Sequence, residues 1–101
     1  MVDIAISQNK KPIRLNDERW VHITEEHCEL AGYRLEILET IEHPLRILEG
    51  KDGEAIALRE VEEGKYLVVV YRELEQDGFI ITAFFTRRIK SLERRKQLWP
   101  N

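Results

Sequence analysis

A single cysteine, Cys28, occurs among the 101 residues of the chain. One thiol can neither close an internal disulfide nor build a cysteine-based zinc site, so a disulfide-stapled scaffold is excluded. Long apolar runs are missing as well: Leu67–Tyr71 is five residues, against about 20 for a membrane-crossing helix. The opening residues Met1 to Ser7 carry neither a basic stretch nor an extended apolar segment. No signal peptide is therefore expected, and the expected location is the cytoplasm. Positive charge is not in excess either. With 16 Lys+Arg against 19 Asp+Glu the formal net charge is −3, which argues against a protein that coats nucleic acid non-specifically. The chain is also too short for two domains or for a deep cofactor cavity with walls around it. One domain over residues 1–101 and no cofactor are expected.

What is present is enough for one folded core: 43% hydrophobic and 35% charged residues, the balance of a globular domain. Lys11 to Leu15 reads as a short extended lead-in. Asn16 sits where a helix N-cap belongs, with Asp17 and Glu18 in the first turn. Trp20, Ile23, His27 and Leu30 then recur at helical spacing, and Gly32 is a suitable stop. A second helix is predicted over Tyr33 to Glu42, with Ile37, Leu38 and Ile41 on one face and Pro44 beyond its end. Four strand-like segments follow: Leu45 to Glu49, Glu54 to Val61, Lys65 to Glu73 and Phe79 to Thr86. Gly53, Gly64 and Gly78 lie in the short links between them, which implies an antiparallel meander. Arg87 to Leu98 reads as a basic C-terminal helix carrying Ile89, Leu92 and Leu98. The predicted fold class is α+β: two N-terminal helices, a four-stranded antiparallel meander and a C-terminal helix, with helices on one face.

Charge is unevenly spread. Residues 87–96 hold Arg87, Arg88, Lys90, Arg94, Arg95 and Lys96 against Glu93, a local charge of +5 that leaves −8 elsewhere. This segment reads either as a face for the RNA backbone or as a solvated helix that meets an acidic partner. Arg59 and Arg72 lie within strands, either paired with glutamates or held ready for a phosphate. On the last strand, alternation assigns Ile80, Thr82, Phe84 and Thr86 to one side and Phe79, Ile81, Ala83 and Phe85 to the other. The threonines are good strand formers and also hydroxyl donors; Tyr71 and Phe84 are aromatics of the kind that contact RNA bases. His22 and His27 are five apart, about 140° around a helix, so they do not chelate together and no metal site is expected. His22 shares a face with Glu26, which could orient it; the plain alternative is a solvated His22 and a buried, hydrogen-bonded His27.

Taken together, Leu15-Asn-Asp-Glu-Arg-Trp-Val-His-Ile-Thr-Glu-Glu-His27, Leu58-Arg-Glu60, Lys65-Tyr-Leu-Val-Val-Val70 and Gly78-Phe-Ile-Ile-Thr-Ala-Phe-Phe-Thr86 resemble the phage barnase–EndoU–colicin–RelE-like nucleases, especially small stand-alone bacterial members. The resemblance covers about residues 12–88. It implies a RelE- or barnase-like fold and metal-independent RNA cleavage, often by a toxin that a cognate antitoxin holds. By motif it assigns His22, Arg59 and Thr82 to catalysis, with His27 and Thr86 as weaker matches. The expected chemistry is transesterification through the ribose 2′-OH, with His22 exchanging the proton, Arg59 neutralising the phosphorane and Thr82 binding a non-bridging oxygen. Rival readings are a non-catalytic interaction module of the same fold and a binder of single-stranded nucleic acid. An open sheet edge would also permit a homodimer.

Overall fold

The computed structural model describes residues 2–101. A hairpin opens the chain: β1 (Val2–Ile6) pairs antiparallel with β2 (Pro12–Asn16). Two helices follow, α1 (Asp17–Glu26) and α2 (Arg34–Glu42), linked by a 3-10 turn at Cys28–Leu30. Asn16 caps α1 by accepting the Arg19 N–H at 2.8 Å, which satisfies one of the donors a helix start leaves free. The remaining strands are β3 (Arg46–Glu49), β4 (Ala55–Glu62), β5 (Lys65–Glu73), β6 (Gly78–Thr86) and β7 (Gln97–Trp99), with α3 (Lys90–Glu93) between the last two.

All seven strands form one sheet in the order β1-β2-β6-β5-β4-β3-β7. It is mixed: β2 runs parallel to β6 through Ile13↔Gly78 and Arg14↔Phe79, and every other pairing is antiparallel. The expected four-stranded antiparallel sheet with two N-terminal helices is thus corrected to a seven-stranded mixed α+β sheet, with a hairpin ahead of the helices and a strand at its end. The hairpin escapes sequence reading because its pattern is inverted. Val2, Ile4 and Ile6 are 49%, 53% and 45% exposed while Ala5 is buried, and the inward-facing Asp3 is held by Arg34 at 2.6 Å. The expected helix over 87–98 shrinks to α3, because the backbone of 97–99 pairs with the β3 edge instead.

The sheet separates two cores. On one face α1 and α2 bury Ile23, Ile37 and Ile41 against Ala57, Leu67, Val69, Tyr71, Ile80 and Ala83. On the other, Leu48, Ile56, Leu58 and Val68 are covered by Ile89 and Leu92 of the C-terminal segment. Helices therefore lie on both faces, contrary to the expectation of one. No helix among the described residues is long and apolar enough to cross a membrane.

Candidate functional site on the second face of the sheet

The strand registers decide which side chains can meet. Arg59, Leu67 and Phe85 are in one row, and Thr82, Val70 and Ile56 in another. Leu67 belongs to the helix-side core and Ile56 to the opposite one, so Arg59 and Thr82 project from opposite faces. Arg59 is also engaged: its Nη1 lies 3.1 Å from Glu39 Oε2 of α2. One phosphate cannot touch both groups. His22 is exposed on the outer side of α1, and among the described residues its side chain has no hydrogen-bond or ion-pair partner. The structure does not bring the motif-matched trio His22, Arg59 and Thr82 together.

It does bring His27 to the sheet. β2 pairs with only the first two residues of β6, and α1 is also in contact with that strand. At the end of α1 the backbone N–H of His27 bonds Ile23 O at 2.8 Å. Its ring centroid stands 6.0 Å from that of Phe84, tilted by 38°, and its Nδ1 is 3.6 Å from Glu29 Oε1. Phe84 packs against the second core, and Thr82 and Thr86 share its face by alternation. A bulge between Val70 and Tyr71 sets Tyr71 opposite Ile80 and leaves Ile81 as the extra residue. This moves Ile80 to the side of Ala83 and Phe85 and corrects the expected alternation, since a bulge shifts the side-chain phase by one. Thr86 Oγ1 accepts the Arg88 N–H at 3.0 Å, fixing the turn where the basic segment leaves β6.

The cations divide into engaged and open groups. Arg87 lies 3.3 Å from Glu62 Oε1, and Arg72 Nη1 donates to Asp52 O at 2.9 Å. Arg46 pairs with Glu93 at 3.2 Å. Arg88, Lys90 and Arg94 are exposed. Arg95 Nε is buried without a hydrogen-bond partner among the described residues. Tyr71, expected as an RNA-contacting aromatic, is 2% exposed and packs in the helix-side core, so that role is corrected. Missed from sequence is a cleft of about 420 Å³ lined by Tyr33, Glu36, Arg59, Glu60, Lys65 and Phe85. Its Tyr33–Phe85 edge contact at 5.2 Å joins residues with no sequence signal linking them. Among the described residues no three His, Cys, Asp or Glu side chains group as metal ligands would.

Comparison with protein-family models, with curated proteins and with solved structures gave no match.

Proposed function

We propose that the chain is a small cytoplasmic endoribonuclease of toxin type, held by a cognate antitoxin, that works without a metal on the second face of its sheet. His27, rather than His22, is the proton-transfer group in this reading. The observation that carries it is the juxtaposition of His27 with Phe84 at 6.0 Å, on the strand that also bears Thr82 and Thr86. Imidazole exchanges protons near neutral pH, an aromatic ring offers a platform for a base, and hydroxyls donate to phosphate oxygens. His27 would take the proton of a ribose 2′-OH, and that oxygen would bond the adjacent phosphorus. The bond to the 5′-oxygen then breaks, and the leaving oxygen takes up a proton. Thr82 would donate to a non-bridging oxygen, and the exposed Arg88 would draw the RNA backbone to the site.

The test is cleavage of single-stranded RNA by the purified chain in EDTA. His27→Ala is expected to lower the rate by about 10²–10⁴-fold, while His22→Ala leaves it unchanged. No cleavage by the unmodified chain, or equal loss in both variants, overturns the assignment. One observation favours a second reading, the non-catalytic interaction module: Arg59 is paired with Glu39 and projects from the face opposite Thr82, so the motif-matched trio is not assembled. That reading expects RNA recovered intact and stable capture of a protein partner.

A further inference from the structure

A cavity of about 250 Å³ opens on the helix-side face, away from Thr82 and Phe84, where the β1–β2 loop, the start of β4, the end of β5 and β7 converge. Ile47, Leu98 and Trp99 form apolar walls; the polar groups include Gln8, Tyr71 and Glu73. Tyr71 is 2% exposed, yet its hydroxyl has no hydrogen-bond partner among the described residues. Burial and the nearby Glu73 carboxylate push its ionisation upward, so the phenol keeps its proton. Glu73 is anchored by neutral donors alone: Oε1 accepts from the Ser7 hydroxyl and Oε2 accepts from Asn9 Nδ2 at 2.7 Å. No cation lies within ion-pair distance of it among the described residues. Arg72, the neighbouring cation in sequence, is engaged at the cavity's rim, where its Nη1 lies beside Gly53 and donates to Asp52 O at 2.9 Å rather than to Glu73. A carboxylate has about four lone-pair sites, and two of these are used.

We infer that this cavity binds a guanidinium group on an apolar stem, with Glu73 accepting its N–H donors, Tyr71 supplying a further oxygen and Trp99 a face. A carboxylate without a cation is the natural seat of such a fork, and an indole face attracts the same charge. The guanidinium belongs either to a free small molecule or to the arginine side chain of a peptide. The inference does not depend on RNA cleavage, because it concerns the opposite face and is read by binding alone.

The experiment titrates the full chain with agmatine, with a capped Gly-Arg-Gly tripeptide and with neutral butylurea at millimolar concentration, following amide and indole N–H resonances. Saturable shifts at Trp99, Ser7 and Glu73 are expected with both guanidinium probes and not with butylurea; the tighter of the two identifies the source. Glu73→Gln is expected to weaken binding about tenfold or more, the loss of a charged acceptor. Tyr71→Phe keeps the ring in the core and is expected to weaken it several-fold. Absence of saturable shifts, equal binding of butylurea, or unchanged affinity in both variants overturns the inference. If Glu73→Gln fails to fold by circular dichroism, unchanged affinity in Tyr71→Phe alone does so.

Discussion

Tyr71 has a consequence for stability that can be signed. Its phenol ionises less readily in the fold than in the unfolded chain, because burial disfavours the anion and Glu73 repels it. Above about pH 10 the unfolded chain therefore binds fewer protons than the native one, and stability falls as pH rises. Melting at pH 8 and pH 11 should show a larger drop for the unmodified chain than for Tyr71→Phe. Gly78 is a steric case. A Cβ there would overlap the Arg72 carbonyl oxygen and lie 2.7 Å from Ile13 Cδ1. Gly78→Ala should cost about 1–3 kcal/mol in urea unfolding, as overpacking does. At this scale the sequence reveals which residue types are available, not whom they meet. Thr82, Phe84 and Thr86 share a face as alternation says. The pairing of Arg59 with Glu39, 20 positions away, has no local signature, and neither has the bulge that turns Ile80 inward.

Among the elements, the helices were the most readable. Asn16 and the acidic first turn mark the start of α1, and Ile37 and Ile41 mark α2. The first helix, expected to run through His27 and Leu30 to Gly32, instead ends at Glu26 and gives way to the 3-10 turn. Asn16→Ala should cost about 1 kcal/mol in thermal unfolding. The end of the chain was not readable. Its charged residues suit a helix, but helix propensity is a weak preference that tertiary context overrides. Here the context is the free edge of β3, where Ile47 pairs with Trp99. The segment between, with Ile89 and Leu92, forms the lid of the second core, and without it Leu48, Ile56, Leu58 and Val68 would face water. Leu58→Ala, at 0% exposure, should cost about 2–5 kcal/mol. Leu92→Ala, at the half-buried lid, should cost less and instead raise binding of a hydrophobic dye.

For the molecule as a whole, the uneven charge sets how RNA could approach. The stretch after β6 carries +5 against −8 in the rest of the chain, so a polyanion would be drawn to that stretch. RNA affinity should therefore fall steeply with salt, and replacing Arg88 or Arg94 by Gln should lower the slope of log affinity against log salt by about 1 each. Fluorescence anisotropy of a labelled RNA across a KCl series measures this. Binding that ignores salt would point to a protein partner at the same surface.

The parallel pairing of β2 with β6 also bears on how the chain comes to be folded. Ile13 and Arg14 meet Gly78 and Phe79, so the first hairpin leaves the ribosome about 65 residues before its neighbour exists. Until then β1 and β2 can pair only with each other, and an isolated hairpin is marginal in water. Val2, Ile4 and Ile6 stay exposed even in the finished fold. During synthesis only α1 and α2 are there for its inner side, Ala5, Ile13 and Leu15, to pack against. A chain released before residue 78 lacks the strand that β2 pairs with. The hairpin thus gains its strand neighbour only once β6 emerges, and the interval before that is when its free edge is open to other nascent chains.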